Sequence, residues 1–448
     1  MDLMELDKKV LWHPYTQMKD FEKESLLFVD HADGVFLYDK EARAYYDCIS
    51  SWWCIIHGHN HPKINASIMA QLGRLEQVHF AGTTHEGAIR LAERLVDIAP
   101  HNLTKVFYSD NGSTACEVAL KMSFQYWKQA GRPKKEKFIA LDRGYHGDTI
   151  GTMSVGGTSG FHSVFAPMFF DSYRLPSPYC YRCPCEKQSP DCCSLECLLP
   201  LEAILETCGQ TIAGIILEPL LQAAGGMIVY PVRYLGKLAE IAKKYGIHII
   251  FDEVATGFGR TGRMFALEHA NVEPDFLCLS KGLTGGYLPM AATITTDEVF
   301  DAFYDDYEKG KTFFHGHTFT GNPLAVAAAI ASLEIFERDA VLELAKDKIR
   351  FLQEEKERFT KLPIVGDVRG IGMVAVFELV EDKATKRPFS PASRMGWHVY
   401  REGLKKGLII RPLGDIIYLF LPLSITIDEI KDILERLFSI LSSIKAVS

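Results

Sequence analysis

No stretch of this sequence is apolar for long enough to span a bilayer. The best candidate, residues 212–230, is broken by Glu218, Gln222 and the pair Gly225-Gly226, so it reads as a buried strand followed by a loop. Basic residues are also scarce, with 49 Lys and Arg against 57 Asp and Glu and a net charge of −8. No cationic excess exists to neutralise phosphates, which excludes nucleic acid or an anionic membrane as the main partner. Internal repeats and low-complexity tracts are missing. The amino terminus mixes acids, bases and apolar residues and lacks the charged-then-apolar layout of an export signal. A cytoplasmic chain is therefore expected, and its eleven cysteines read as thiols, metal ligands or redox groups rather than a disulfide framework.

What is present is an ordinary enzyme composition, 47% apolar and 24% charged over 448 residues. That length suits one large α/β domain with an appendage. Residues 1–60 read as an extended arm with short alternating strands around 34–39 and 44–47, joined to a small domain. Residues 61–325 read as the large domain. Its spacing is helical over 64–100; short apolar runs at 137–142, 212–218, 246–252 and 275–280 then alternate with helices. That alternation predicts a mostly parallel sheet covered on both faces. Residues 326–448 read as a smaller α/β domain.

Ligands bind at the carboxyl ends of strands in such sheets, and here those ends carry charge. Run 246–252 ends in Asp252-Glu253, run 275–280 in Lys281, and run 212–218 in Glu218. One such charge is by default a solvated loop residue; three on successive strands point to a crevice. Asp110-Asn111-Gly112-Ser113-Thr114 precedes a helical stretch, where free backbone N–H groups can bind an anion, although Ser and Thr cap helices everywhere. A phosphate cup, a carboxylate and a lysine together suggest pyridoxal 5'-phosphate, with the lysine as Schiff-base former and the carboxylate on the pyridinium nitrogen.

The segment Phe251-Asp252-Glu253-Val254-Ala255-Thr256-Gly257-Phe258-Gly259-Arg260-Thr261-Gly262, followed by Ser280-Lys281-Gly282, resembles the signature of the class III (ω-) aminotransferases. Trp12-His13-Pro14-Tyr15-Thr16-Gln17-Met18, Ser50-Ser51-Trp52-Trp53, Gly144-Tyr145-His146-Gly147-Asp148-Thr149 and Arg411-Pro412-Leu413-Gly414 resemble the branch of that family working in biotin synthesis. The resemblance implies a fold-type I homodimer with active sites at the subunit interface. It implies S-adenosyl-L-methionine as amino donor and 8-amino-7-oxononanoate as acceptor. L-Lysine as donor stays open, because His317 and Leu421-Pro422-Leu423 depart from the usual pattern.

By the same resemblance, Lys281, Tyr145 and Asp252 are catalytic. Gly112, Ser113, Tyr145, Glu218, Asp252, Lys281, His317 and Thr318 hold the cofactor, Thr318 from the partner subunit. Tyr15, Trp52, Trp53, Tyr145, Lys281, Gly316, Arg411 and Tyr418 meet the substrates. A long apolar chain ending in a carboxylate wants an aromatic trough and one distant arginine. Adjacent tryptophans such as Trp52 and Trp53 are by themselves more often core or interface residues.

Cys180, Cys183, Cys185, Cys192, Cys193 and Cys197 crowd into a proline-rich connection. Their spacing suits a tetrathiolate zinc or an iron–sulfur centre, and reduced thiols packed in a loop remain the competing reading; no metal is expected in the catalytic site. Three other functions compete: a class III enzyme acting on ornithine, 4-aminobutyrate or a diamine, an aminomutase on the same fold, and a thiol-rich binding module.

Overall fold

The runs read as unbroken apolar segments form the centre of a seven-stranded sheet. Its order is Leu103–Ser109, Ala291–Thr296, Phe276–Leu279, His248–Asp252, Ile212–Leu217, Lys137–Leu141, Ser172–Leu175. Ala291–Thr296 is antiparallel to both neighbours, and the other pairings are parallel. The architecture comes from a computed structural model that describes residues 2–24, 26–157, 161–187 and 193–444.

Every residue of Ile212–Leu217, His248–Asp252 and Phe276–Leu279 is buried, as strands covered on both faces require. Side chains alternate between two cores. Ile216, Ile250, Phe276 and Cys278 pack with the helix Gly112–Gln129, whereas Ile215, Leu217, Ile249, Phe251, Leu277 and Leu279 join the larger core on the other face. His248 interrupts the apolar pattern. Its Nδ1 lies 2.8 Å from Ser123 Oγ, Trp127 stacks on its ring, and burial pushes its pKa down to about 3, so it is a neutral core histidine.

The carboxyl-terminal region forms a three-stranded antiparallel sheet of Val365–Ile371, Val374–Leu379 and Ile416–Phe420. A separate sheet joins the amino-terminal strands Val29–Asp33, Phe36–Asp39 and Ala44–Asp47 to Leu408–Ile409, which pairs parallel with Ala44–Asp47. The junction expected at 325/326 falls inside the continuous helix Pro323–Arg338, which packs on Pro62–Leu72 and Glu86–Ile98.

Two details differ from expectation. The helical stretch expected over 64–100 is two helices, Pro62–Leu72 and Glu86–Ile98. The arm expected to be extended begins with a helix, Leu3–Val10, with Glu5 in its first turn and Lys8 and Lys9 in its last, a charge order that suits the helix dipole. The described cysteines are free thiols; Cys192 and Pro190 lie outside the described residues.

The last helix, Ile427–Ser443, buries Ile430, Ile433, Leu434, Leu437, Ile440 and Leu441 along one stripe. Thr426 and Glu429 close its first turn in a reciprocal capping box. Thr426→Ala should cost about 1 kcal/mol and lower amide-exchange protection of this helix about fivefold. Unchanged protection would show that the cap contributes nothing.

Candidate active site

The ends of three adjacent parallel strands bring the expected charges together. Glu218 follows Ile212–Leu217, Asp252 ends His248–Asp252, and Lys281 lies just beyond Phe276–Leu279. All three line a cavity of about 580 Å³ with Asn111, Gly112, Ser113, Tyr145, His146 and Trp53. Lys281 is held at φ +46°, a left-handed conformation that costs a non-glycine residue strain. Its side chain keeps some surface on the cavity, while the protein around it removes bulk water. Desolvation lowers its pKa, and the charges of Asp252 and Glu218 oppose that fall. Its Nζ stands 4.9 Å from the centre of the Trp53 ring.

Asp252 is fixed by two contacts. His146 Nδ1 lies 2.8 Å from Oδ2, and the Val254 N–H donates to Oδ1 at 3.1 Å. His146 is almost fully buried, and its Nε2 has no hydrogen-bond partner among the described residues. Cys116 lies below the same carboxylate. A hydrogen bond with Cys278, burial and the Asp252 charge hold its thiol protonated. Glu218 takes N–H bonds from Tyr145 at 3.0 Å and Ala223 at 2.8 Å. Burial first, then the charge of Asp252, push its pKa up to about 8.

The segment 110–114, expected to hold a phosphate, forms the start of the helix Gly112–Gln129, with Asn111 as its cap. The loop carrying Tyr145 passes it at Gly147. There φ is +122°, and a Cβ would stand 1.9 Å from Ser113 Oγ, so only glycine allows this approach. Above the cavity, Tyr15 and Tyr145 both donate to Asp148, at 2.6 and 2.9 Å from Oδ2, and His162 Nε2 lies 2.9 Å from Oδ1. Burial works against the Asp148 charge, but hydrogen bonds from His162, Tyr15 and Tyr145 hold its carboxyl below the usual range. Burial, then Asp148, raise Tyr15 to about 12.

Of the expected substrate residues Tyr15, Trp52, Trp53, Arg411 and Tyr418, Trp53 lines the cavity; Tyr418 packs behind it, and Tyr15, Trp52 and Arg411 contact one another outside the lining. The Arg411 guanidinium stands 4.4 Å over the Trp52 ring and 5.8 Å from that of Tyr15, and Trp53 Nε1 donates to Tyr418 Oη at 3.2 Å. Ser50, Ser51 and Trp53 adopt positive φ. This strained turn is held by Arg260, whose side chain is fully buried and donates to carbonyls of Trp53, Ile55 and Leu421. Burial lowers the Arg260 pKa to about 9. Gly316, His317 and Thr318 do not line the cavity of their own chain. His317 instead lies 3.5 Å from Asp110, and the Thr318 carbonyl accepts from Gln77.

Sequence reading left His146, Asp148 and Arg260 without roles. His146 and Asp148 stand two apart beside Tyr145, and that clustering of ionisable groups in a glycine-flanked loop was the signal available. The arrangement fits a planar phosphorylated aldehyde. It offers one desolvated amine, a carboxylate backed by histidine, and free N–H groups at a helix start.

Folded Glu218 keeps its proton up to about pH 8, whereas the unfolded chain releases it near 4.5. Folding therefore takes up a proton across that window, and stability falls as pH rises through it. Glu218→Gln should flatten this fall in thermal midpoint while lowering stability overall by ~1–3 kcal/mol, because the amide NH2 leaves one backbone donor unsatisfied. A slope equal to that of the wild type would refute the assignment.

A family model described as "Aminotransferase class-III" matches residues 18–441. The chain is 47% identical over 435 residues to an adenosylmethionine-8-amino-7-oxononanoate aminotransferase of Geobacter sulfurreducens, covering 97% of this chain and 96% of that one. It is 47% identical over 433 residues to the protein of the same name from Aquifex aeolicus, covering 96% and 95%. The crystal structure of the protein so named from Methanocaldococcus jannaschii superposes with a TM-score of 0.93 at 41% identity, covering 98% of each chain. An amine transaminase from an uncultivated Pseudomonas species, solved in its PLP-bound form, superposes with a TM-score of 0.92 at 35% identity, covering 97% and 98%.

Proposed function

This chain belongs to the class-III aminotransferases, and from that membership we propose that it transfers an amino group from S-adenosyl-L-methionine to 8-amino-7-oxononanoate, yielding 7,8-diaminononanoate in biotin biosynthesis. The reaction class is carried by one observation: Lys281, Asp252 and Glu218 meet at the ends of adjacent strands beside a helix start. The substrates rest on the names of relatives matched over nearly their whole length.

The cofactor is pyridoxal 5'-phosphate, which when bound supplies an electrophilic carbon and an electron-withdrawing ring. Lys281 Nζ is the group that would hold that carbon, and its amine would serve as the base and acid that moves the substrate proton. Burial lowers its pKa, which favours the neutral, nucleophilic amine over the ammonium. Asp252 would accept the ring N–H, and His146 holds Asp252 in place. The N–H groups at Gly112 and Ser113 would bind the phosphate, and Tyr145 would cover the ring. Glu218 anchors the Tyr145 backbone. Arg411 takes the far carboxylate of the acceptor, its guanidinium already oriented by Trp52.

The enzyme works as a cytoplasmic homodimer in which Gly316, His317 and Thr318 complete the partner's site. Supporting this, Phe314 is 79% exposed, and Tyr304, Tyr307 and Phe319 are exposed nearby. No helix among the described residues is long and apolar enough to cross a membrane.

Adding adenosylmethionine to the yellow, cofactor-loaded protein should bleach its visible band, and 8-amino-7-oxononanoate should restore it. Bleaching by lysine alone would move the donor assignment, and failure of the oxononanoate to restore the band would remove the acceptor. Arg411→Ala should raise KM for the acceptor roughly 10–100-fold with a smaller change in kcat, the loss of one charge-assisted carboxylate contact. Equal KM in both proteins would place the carboxylate elsewhere.

A further inference from the structure

The catalytic site accounts for none of the cysteines between 180 and 197. The buried thiols Cys48, Cys116 and Cys278 sit in the cores as small apolar groups. The cluster is different. Cys180, Cys183, Cys185 and Cys193 are only part-buried, and no α-helix or β-strand lies between Ser172–Leu175 and Leu199–Cys208 among the described residues. A connection of this length with little apolar content to bury needs some other constraint.

The cysteines fall into two pairs with different anchors. Cys180 and Cys183 flank Tyr181 and Arg182, which hold the small sheet. Arg182 Nε donates to Glu378 at 2.7 Å and its Nη1 to the Lys386 carbonyl at 2.9 Å, while Lys386 Nζ donates to the Tyr181 carbonyl at 2.7 Å. Cys193 and Cys197 lead into the helix Leu199–Cys208, and Cys197 is buried in the main core. The backbone N–H of Leu195 donates to Cys193 Sγ at 3.2 Å, the type of bond that steadies a metal-bound thiolate.

We propose that Cys180, Cys183, Cys193 and Cys197 bind a structural zinc ion as a tetrathiolate, clamping the small sheet to the start of helix Leu199–Cys208. The two spacings, C-x2-C and C-x3-C, are those of structural zinc sites, and Cys185 falls outside the pairing. Four S–H bonds break and four Zn–S bonds form, with the protons released to solvent, so no oxidant or reductant is involved. The resulting charge of −2 meets both signs: Arg233 and Lys187 act favourably on Cys180 and Cys185, whereas Asp367 and Glu196 act against them. No three of the described thiols of the cluster come within 4.8 Å of one another. Electrostatic effects reach from Cys183 and Cys193 to Cys180, Cys185 and Cys197, so the two pairs neighbour one another.

The test is the metal content of cofactor-loaded protein expressed with zinc and purified in reductant without chelator. About one zinc per chain is expected, with sulfur neighbours at about 2.3 Å by X-ray absorption, released by a mercurial reagent and read with a chromogenic chelator. Cys183→Ser and Cys197→Ser should each lose the metal, and Cys185→Ser should keep it. If the first two fail to fold, the wild-type zinc content and its sulfur shell still decide. Metal-free wild-type protein with freely titrating thiols, iron in place of zinc, a disulfide within the cluster, or loss of zinc only in Cys185→Ser would each overturn the proposal.

Discussion

The site is organised by one electrostatic constraint: an ammonium and two carboxyls share a floor from which the sheet excludes water. Lys281, Asp252 and Glu218 reach it because three buried parallel strands all end there. In water these groups would ionise independently; here the ionisation of Lys281 and Glu218 answers to burial and to neighbouring charges. Burial lowers the lysine and raises Glu218; the Asp252 charge resists the first shift and reinforces the second, which the Lys281 charge opposes. A low-pKa amine therefore results from the arrangement of strands rather than from any special property of Lys281.

A second layer holds this floor and the expected substrate residues in register. His146 fixes Asp252 from a loop that Gly147 allows to pass close to Ser113. Asp148, two residues on, gathers Tyr15 and Tyr145, so the amino-terminal arm is tied to the residue covering the cavity. Arg260 lies fully inside the protein and is paired with carbonyls instead of a carboxylate. Its hydrogen bonds go to the turn whose positive-φ residues aim Trp52 and Trp53. Such strain persists only where surrounding contacts over-determine the backbone, and the buried guanidinium supplies them.

Sequence alone located the floor because a parallel sheet converts strand ends into neighbours: charges after apolar runs at 218, 252 and 281 had to converge. The helix start at Gly112 was legible for a similar local reason. The supporting contacts were not. His146 and Asp252 lie 106 positions apart, and Tyr15 and Asp148 133 apart; such pairings depend on loop paths that periodicity does not encode. Arg260 sits inside a motif that could be read, yet its burial depends on the turn at 50–55, far away in the chain. The amino-terminal helix was hidden for another reason. Its apolar residues bury nothing in their own chain, so no core-facing stripe marked it.

The pairing of Leu408–Ile409 with Ala44–Asp47 bears on how the protein is made. The strand at 44–47 leaves the ribosome about 360 residues before its partner, a wait of roughly 20–70 s at ordinary rates of synthesis. The seven-stranded sheet is complete in sequence by residue 296 and can form during that interval. The arm that carries Tyr15 and the tryptophan turn cannot complete its docking until the chain is almost finished, because Arg411 and Tyr418 come last. An interrupted translation product would thus possess Lys281, Asp252 and Glu218 yet lack Arg411 and Tyr418, and its unpaired amino-terminal strands would be surface for chaperones to shield.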